Sequence, residues 1–403
     1  MTLKQSIFRN RTYMLLLVAG IFAIVGFSMF LTTTSWYIIN VLSSPGILGI
    51  ALITATVPRL LLITFGGVLA DKYKKTTIMF GTNLLQALVL FCIYWLVASD
   101  SMTLALLFVT VGLFGMLDAF FGPASSSLIP KVVEKSQLQQ ANAYFQGIDQ
   151  ISFIIGPILA GVIMETSSIA TSYFVATILV LLSAFVVFPP FIKEGPVEHK
   201  GDQSTLEDFR EGIAYMKSST FLLTGIIVLI TLNFFVFGGL QIAMPLLVDL
   251  LGGTPINLSL MEVSLGVGMV IGTLIMSFVK VKRKGFTSLI GLMASLLFLI
   301  IFSIATNLML LTTILFFIGF SIAFVFIPFF TAAQENTENR IMGRVMSIIF
   351  LAMNGFDPIA YGVVSALASA GIDIQLILLA SGVIGMVIAV CVWWKGKTFV
   401  RAY

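Results

Sequence analysis

Long apolar runs alternate with short polar segments along the whole chain. Six runs fall at 13–40, 46–70, 77–98, 103–122, 138–165 and 168–192, and after a polar stretch six more follow at 219–250, 258–279, 286–305, 308–333, 343–369 and 373–394. Each run has the length of a transmembrane helix, which needs about 20 residues, and exceeds the length of a barrel strand. Only helices and closed barrels satisfy backbone hydrogen bonds in lipid, so the pattern predicts an all-α membrane protein with twelve transmembrane helices.

The polar stretch at 193–218 divides the runs into two sets of six. We therefore expect a six-helix bundle over 1–192, a second six-helix bundle over 219–403, and a linker between them. Ser204 and Glu207 have the capping-box spacing of a helix start. Four apolar residues then recur at helical spacing: Leu206, Phe209, Ile213 and Met216. The linker is therefore predicted to hold a short amphipathic helix on the inner membrane surface rather than a floppy chain.

A weak internal repeat indicates that the two bundles are related by pseudo-symmetry. Phe121-Gly-Pro123 is interpreted as the end of the fourth helix, and Phe326-Ile-Pro328 lies late in the tenth. Each is followed by a polar segment and a long apolar run, and the same offset sets Asp149 against Asn354. Repeated halves around a midplane site are typical of alternating-access transporters.

Composition excludes several classes of protein. The 403 residues are 59% hydrophobic and 10% charged, whereas a soluble domain is about 25% charged. A soluble enzyme, a disordered chain and a nucleic-acid-binding protein are all incompatible with this balance. The first apolar run is too long for a signal-peptide core, so we expect it to be retained as a transmembrane helix.

The basic residues set the expected orientation of the chain. If both termini are cytoplasmic, every lysine and arginine except Arg59 falls in an inner segment or at the inner end of a predicted helix. This distribution follows the positive-inside rule, and one helix more or fewer would destroy it. We therefore expect a multi-pass protein of the cytoplasmic membrane with both termini on the cytoplasmic side.

The segment between the second and third runs reads Gly66-Gly-Val-Leu-Ala-Asp71-Lys-Tyr-Lys-Lys75. Its glycines allow close helix packing, and Asp71 can accept hydrogen bonds from the first N–H groups of the next helix. The segment resembles the loop of the major facilitator superfamily that typically reads Gly-x-x-x-Asp-Arg-x-Gly-Arg-Arg. Lysines replace the arginines here, and Lys74 stands where the second glycine is usual. The resemblance implies a fold of two pseudo-symmetric six-helix bundles in a bacterial cell membrane.

The resemblance also implies a conformational latch. In the family, the loop aspartate holds an arginine at the start of the eleventh helix and steadies one conformation. Asp71 would then pair with Arg344, and Lys75 would contact Asp118 at the inner end of the fourth helix. The latch residues carried over are Gly67, Asp71, Lys72, Lys75, Asp118 and Arg344.

The fifth run contains a second motif, Gly156-Pro157 followed by Ala160-Gly161. Small residues let helices approach closely, and the proline bends the helix. The motif is similar to the family's antiporter signature, which usually ends in Gly-Gly, and it implies export in exchange for protons. Three further pieces resemble the macrolide-efflux branch of bacterial drug exporters: Glu211-Gly212, Gly253-Thr-Pro255 and Gly343-Arg-Val345.

Four charged residues inside the runs are candidates for proton coupling or ion pairing: Arg59, Asp149, Asp357 and Glu262. A charge at the centre of a transmembrane helix costs about 2.5–3.5 kcal/mol on insertion scales, so each needs a partner or a function. By the helix arrangement of the family, Arg59 could pair with Asp357 of the other bundle or with Asp149 of its own. A carboxyl group remote from Arg59 could instead carry a proton. For Arg59, a static ion pair that fixes packing is the alternative.

By the same resemblance, the substrate cavity lies mostly between the first, fourth, seventh and tenth helices. The candidate residues are Phe27, Phe30, Trp36, Tyr37, Asn233, Phe234, Phe237, Gln241, Phe320 and Phe324. An aromatic cavity with few polar groups suits a bulky amphipathic ligand. Because the chain has 36 phenylalanines, any single one can equally be a core or lipid-facing residue.

The sequence lacks the motifs of nucleotide hydrolysis and of metal binding. It lacks a Gly-x4-Gly-Lys-Ser/Thr phosphate loop and a Cys/His metal cluster, and its single histidine, His199, lies in the linker. We therefore expect no enzyme activity, no cofactor and no metal. Expected partners are an amphipathic small molecule, protons and membrane lipids, with no nucleic acid and a monomeric state.

The sequence thus predicts a secondary active transporter that works by alternating access. The first hypothesis is proton-coupled export of amphipathic drug-like compounds such as macrolides. The second is export of a siderophore or flipping of a lipid such as a lysophospholipid. The third is a sensor or scaffold that transports nothing. It would need an appended signalling domain or a partner, and we expect neither tail to be long enough for such a domain.

Overall fold

The computed structural model describes residues 7–134, 137–192, 194, 205–279, 281–338 and 341–401. The side chains at 64–68, 70–72, 139, 205–209, 343, 398 and 401 lie outside that description. Ser204 and the side chain of Glu207, which form the predicted capping box, therefore fall outside the described residues.

Sixteen α-helices make up most of the described part of the chain. The first six are α1 (Arg11–Trp36), α2 (Pro45–Lys72), α3 (Lys75–Ala98), α4 (Leu104–Val132), α5 (Leu138–Thr166) and α6 (Ile169–Val186). The next five are α7 (Thr205–Ser218), α8 (Thr220–Leu232), α9 (Gly238–Leu250), α10 (Pro255–Phe278) and α11 (Lys284–Ile304). The last five are α12 (Leu308–Glu335), α13 (Met342–Asn354), α14 (Asp357–Ser369), α15 (Ile374–Lys395) and α16 (Lys397–Arg401).

These helices confirm the prediction of twelve membrane spans. Twelve segments of the described chain are long and apolar enough to cross a membrane. The seventh span joins α8 to α9 through a π-helical turn at Asn233–Phe237, and α1 continues through a similar turn at Tyr37–Val41. Apart from α7 and α16, every other helix or helix pair is one span.

Polar side chains fix where several of the helices begin. Each accepts a hydrogen bond from a backbone N–H group in the first turn that has no partner within its own helix. The residues that cap helices in this way include Asn10, Thr103, Ser168, Ser219 and Asn307. Sequence-local signals therefore account for these boundaries.

The fourth span is longer than its apolar run. The prediction that Phe121–Pro123 ends it is wrong, because α4 continues through Pro123 and Pro130 to Val132. Proline is tolerated inside transmembrane helices, where neighbouring groups compensate for the lost hydrogen bond. As a consequence, Asp118 lies at the middle of α4 rather than at its inner end.

The eleventh span is interrupted near its middle. Its first half, α13, ends at Asn354, and its second half, α14, begins at Asp357. Pro358 fits the start of α14 because its missing N–H would have no helical partner there. Asp357 lies in the first turn of α14, where the positive end of the helix dipole favours a carboxylate. Asp357 therefore lies near the middle of the eleventh span, as expected, but at a break that the sequence did not predict.

Contacts divide the chain into two compact units. The N-terminal unit comprises 1–37 and 50–201, and the C-terminal unit comprises 38–49 and 202–403. The segment 38–49, called the connecting segment below, therefore belongs to the C-terminal unit although it joins the first two spans. Within that unit, Asn40 Nδ2 donates a hydrogen bond of 3.0 Å to Asp249 Oδ1.

The predicted linker helix is present as α7, and it packs against other helices of the C-terminal unit. A Cβ atom on Gly212 would lie 2.7 Å from Ile348 Cδ1, so α7 contacts α13 closely at this point. Met216 is buried, and the Tyr215 hydroxyl donates to the carbonyl oxygen of Asn336 at 2.9 Å. Specific contacts thus hold this helix against the C-terminal unit, and its position on the inner membrane surface stays a prediction.

Glycines bring pairs of spans to backbone contact in both units. In the C-terminal unit, a Cβ atom on Gly268 of α10 would lie 2.1 Å from the carbonyl oxygen of Phe316. Reciprocally, a Cβ atom on Gly319 of α12 would lie 2.0 Å from the carbonyl oxygen of Leu265. Transmembrane helices associate by this kind of close packing because lipid provides no hydrophobic driving force.

A matched pair of glycines tests this packing in the N-terminal unit. A Cβ atom on Gly115 of α4 would lie 2.1 Å from the carbonyl oxygen of Ala55 on α2, whereas nothing lies within 4 Å of one on Gly147. Gly115→Ala should therefore destabilise the protein by about 1–3 kcal/mol through overpacking. Gly147→Ala should be neutral or stabilising by up to about 1 kcal/mol, because alanine favours helix.

Thermal unfolding of the two purified variants in detergent measures both effects. The same melting temperature for Gly115→Ala and the wild-type protein would contradict the close approach of α2 and α4.

Candidate functional site

Arg59 forms an ion pair with Asp118 inside the N-terminal unit. Arg59 Nε lies 3.0 Å from Asp118 Oδ2, and the guanidinium carbon lies 5.5 Å from the centre of the Phe27 ring. The nearby Gln86 side chain donates from Nε2 to the carbonyl oxygen of Phe114 at 3.4 Å. Arg59 and Asp118 are both at the middle of their helices, α2 and α4, and this shared depth allows them to meet.

This ion pair corrects two predictions from the sequence. Within its own unit, Arg59 is paired with Asp118 and not with Asp149. Asp118 is consequently not a partner of Lys75. Both errors have the same cause, since ending the fourth helix at Pro123 placed Asp118 too near the membrane surface.

A mainly apolar cavity of about 170 Å³, with several polar side chains in its wall, lies beside the ion pair within the N-terminal unit. Helices α1 to α5 all contribute to its wall. The lining residues that carry polar or aromatic groups are Phe27, Arg59, Asn83, Gln86, Asp118, Phe121, Ser125, Phe145, Asp149 and Phe153. The cavity thus brings together four residues predicted from the sequence, Phe27, Arg59, Asp118 and Asp149, with several that were not.

The carboxyl group of Asp149 has no cation beside it among the described residues. Its Oδ1 atom exposes less than 1 Å² and receives no hydrogen bond from any described group. The only cationic side chain in the cavity wall, that of Arg59, is already paired with Asp118. Asp149 is therefore the acidic residue of this cavity whose charge is not balanced by a neighbour.

Asn83 is a second buried acceptor in the cavity wall. Its Nδ2 atom donates to Ser183 Oγ at 2.7 Å, and Ser183 Oγ donates in turn to the carbonyl oxygen of Ala19 at 2.8 Å. This chain fixes the orientation of the amide, because Ser183 uses its only hydrogen on Ala19. Asn83 Oδ1 is buried and, among the described residues, receives no hydrogen bond.

The predicted latch region shows a different pairing from the one expected. The Glu194 carboxylate accepts hydrogen bonds from the backbone N–H groups of Lys75 and Thr76, at 2.9 and 3.0 Å, and from the Thr76 hydroxyl at 2.9 Å. Lys75 Nζ lies 3.7 Å from Glu194 Oε1, and both side chains are only 2% exposed. Glu194 therefore caps the N-terminus of α3, and the cap predicted from Asp71 falls on a side chain outside the described structure.

The remaining latch residues are only partly described. Arg344 of α13 forms an ion pair with Glu211 of the linker helix α7. Gly67, Asp71 and Lys72 fall among the positions whose side chains lie outside the described structure. A pairing of Asp71 with Arg344 therefore stays a prediction.

The antiporter-like motif lies at a helix contact. A Cβ atom on Gly156 would lie 2.5 Å from Ser28 Cβ, so α5 approaches α1 closely there. Pro157 lies inside α5, and Pro157, Ala160 and Gly161 are buried. Gly156 thus packs α5 against α1, and a role of the motif in proton exchange stays a prediction.

The four aromatic residues around the first span that were predicted to line the substrate cavity differ in their surroundings. Phe27 lines the described cavity. Phe30, Trp36 and Tyr37 are buried, and the Phe30 ring centre lies 4.1 Å from that of Phe114. These three residues are core residues in this structure.

In the C-terminal unit, the predicted cavity residues cluster around the seventh and tenth spans. Asn233 is buried and donates to the carbonyl oxygen of Leu229 at 2.9 Å. Phenylalanines of these spans contact other rings, in the pairs Phe234 with Phe235, Phe237 with Phe326 and Phe320 with Phe324. Gln241 in α9 and Glu262 in α10 are partly buried. A substrate-binding role for these residues stays a prediction.

The family model for the Major Facilitator Superfamily matches residues 16–356. The chain belongs to the major facilitator superfamily. This membership confirms the resemblance found in the loop after the second span, and the twelve spans agree with it. The chain is therefore a major facilitator transporter with membrane-embedded helices.

Individual relatives and solved structures agree with this assignment. The chain is 25% identical over 330 residues to a Bacillus amyloliquefaciens protein named as a bacilysin exporter, covering 79% of both chains. It is also 25% identical over 340 residues to macrolide efflux protein A of Streptococcus pyogenes, covering 80% of this chain and 81% of the relative.

Two solved structures share the fold. The nucleoside transporter NupG superposes with a TM-score of 0.73 at 17% identity, over 96% of this chain and 100% of that one. A bacterial homologue of the human lysosomal transporter Spinster gives the same TM-score at 14% identity, over 97% and 98% of the two chains.

Proposed function

We propose that this transporter exports amphipathic small molecules across a bacterial cell membrane in exchange for protons, with Asp149 as the proton carrier. Both termini are on the cytoplasmic side in this proposal, in line with the distribution of basic residues. The observation that carries it is the state of Asp149, which lies in a cavity where the only cationic side chain among the described residues is bound to another carboxylate.

Proton coupling needs a group that changes charge and is exposed to each side in turn. An isolated carboxylate in an apolar, closed site is strongly unfavourable, whereas the protonated acid is neutral and is tolerated. Asp149 can therefore pass through a closed state only with a proton or another cation bound. Asp118 is less suited to this role because Arg59 balances its charge. Ionisable groups inside membrane spans commonly mark such proton pathways.

Export is supported by the relatives and by the fifth span. Two relatives are named for export or efflux, and the Gly156–Gly161 motif lies in the same helix as Asp149. Macrolide-like compounds are one candidate cargo. An anionic cargo such as a siderophore finds less support in this cavity, because the Arg59 charge is already neutralised.

Flux in proteoliposomes under an imposed pH gradient tests the coupling. A panel with a macrolide, a lipophilic cation and a lysophospholipid should include at least one compound that moves against its gradient. Asp149→Asn should reduce this uphill flux to background, since the amide cannot carry a proton, while leaving downhill exchange of the compound measurable.

Asp100→Asn provides the matched control. Asp100 is exposed in a turn with a positive φ of 51°, a conformation that asparagine also adopts readily. This variant should transport like the wild-type protein. Undiminished uphill flux in Asp149→Asn would remove Asp149 from the proposed mechanism.

A further inference from the structure

We propose that the C-terminal unit binds the phosphate headgroup of an anionic phospholipid at one end of its helices. The site is the basic patch, formed by Lys282 and Arg283 before α11 and by Lys395 and Lys397 at the junction of α15 and α16. In the orientation proposed above, this end of the helices faces the inner leaflet. The site is independent of the exported compound and of proton coupling.

A backbone contact brings the two halves of the basic patch together. A Cβ atom on Gly285 would overlap the carbonyl oxygen of Phe399, so the first turn of α11 touches α16. Arg283 stands two residues before Gly285, and Lys397 stands two residues before Phe399. Lysine and arginine have long side chains, so cations from both segments can converge on one anion.

The positive charge of the basic patch is not neutralised by the described part of the protein. All four side chains are exposed, and none forms an ion pair with a described residue. The sequences of α8, α11, α15 and α16 contain no acidic residue. Glu335, at the end of α12, already pairs with Lys284. The positive-inside rule explains why cations lie at this end, but it leaves four of them without a counter-charge.

The start of α11 adds hydrogen-bond donors beside these cations. Its N-cap residue, Arg283, has no acceptor in its side chain and forms no cap hydrogen bond. The N–H groups of the first turn have no partner within the helix, and the positive end of the helix dipole favours an anion. A phosphate group supplies both the acceptor oxygens and the negative charge that this end lacks.

The apolar surface next to the patch indicates a lipid as the source of the phosphate. Trp394, directly before Lys395, is 74% exposed. The exposed residues Leu376, Val383 and Val387 lie on the same face of α15 as Trp394. This stripe offers the acyl chains a surface, and tryptophan is typical of the level at which headgroups lie. A soluble phosphate would gain nothing from the stripe.

Quenching of tryptophan fluorescence by brominated lipids in reconstituted vesicles tests the site. One protein keeps only Trp394 and a second keeps only Trp95, the other tryptophans being changed to phenylalanine. Brominated phosphatidylglycerol should quench Trp394 at about a tenfold lower mole fraction than brominated phosphatidylcholine does. Trp95, which is exposed in the N-terminal unit, should show no such preference.

Matched double variants separate a site from a generally positive surface. Lys395→Gln/Lys397→Gln should reduce the preference at Trp394 to about threefold or less, because two of the four cations are lost. Arg11→Gln/Lys131→Gln removes two exposed cations of the N-terminal unit and should leave the preference unchanged. Gel filtration shows whether each variant is folded.

Three results would overturn the proposal. They are an equal preference at Trp95, an equal loss in Arg11→Gln/Lys131→Gln, and loss of the preference in inorganic phosphate but not in chloride of the same ionic strength. The last result would assign the patch to a soluble anion.

A second measurement does not need the tryptophan replacements. Short-chain phosphatidylglycerol should raise the melting temperature of the wild-type protein in detergent more than short-chain phosphatidylcholine does. Lys282→Gln/Arg283→Gln should remove this difference, since both halves of the basic patch bind one headgroup. Equal shifts by the two lipids in the wild-type protein would contradict the site.

Discussion

The double variant Gly46→Cys/Ser369→Cys should lose transport almost completely when it is oxidised and regain it when it is reduced. A Cβ atom on Gly46 would lie 3.6 Å from Ser369 Cβ, within the usual Cβ–Cβ range of a disulfide. The bond would fix the connecting segment to α14, inside the C-terminal unit. The same segment is continuous with the first two spans, whose remaining residues belong to the N-terminal unit. Alternating access moves the two units against each other. Because the connecting segment is continuous with the first two spans, we expect it to move relative to α14 during the cycle, and a link between them should therefore arrest transport.

The measurement is flux in proteoliposomes before and after reduction, in a background without the two native cysteines. Cys92 and Cys391 are free and exposed, so both should first be replaced. The control is Ser167→Cys/Thr171→Cys, whose parent hydroxyl oxygens lie 2.9 Å apart at an exposed position of the N-terminal unit. Its disulfide should leave transport intact. A fully cross-linked 46–369 protein that still transports would show that the connecting segment does not move relative to α14.

Glu194→Ala should destabilise the protein more than Gly115→Ala does. Removing the carboxylate leaves the Lys75 ammonium, which is almost completely buried, without this counter-charge and takes the cap from two N–H groups of α3. Breaking a buried ion pair by deleting one partner costs about 3–5 kcal/mol. The thermal transition of the purified protein should fall accordingly.

Two further variants test the cause of this effect. Glu194→Gln keeps an acceptor for the helix cap and loses the charge, so its loss of stability should be smaller. Glu165→Ala removes an exposed glutamate from α5 and should change stability by no more than about 0.5 kcal/mol. A melting temperature for Glu194→Ala equal to that of Glu165→Ala would refute the cap.

The fold could be predicted from the sequence because every span in lipid has to satisfy its own backbone hydrogen bonds. Each apolar run had to be a helix, and local caps such as Asn10 and Ser219 mark where helices begin. The interruption of the eleventh span was missed although Pro358 marks it. A proline interrupts some membrane helices, as at Pro358, whereas other helices continue through it, as α4 does at Pro123. The sequence alone does not distinguish the two cases.

Only part of the candidate site could be predicted from the sequence. Arg59 and Asp149 were identified because an apolar run makes a charge conspicuous. Asn83 was not, since a single buried amide carries no pattern, and its role depends on Ser183, a hundred residues away. Glu194 was also missed, because the N–H groups that it caps are more than a hundred residues distant in sequence. Long-range pairings of this kind are properties of the packed helices.

The reciprocal glycines of α10 and α12 determine how the C-terminal unit can deform. The carbonyl oxygens of Phe316 and Leu265 each lie where a side chain on the facing glycine would be, so the backbones of the two helices interdigitate. A shift along their axes would drive backbone oxygens into neighbouring side chains. We therefore expect α10 and α12 to travel as one rigid piece, which leaves bending to the break between α13 and α14. Asp357 stands at that break, so a hinge motion there would reorient a charged residue inside the eleventh span.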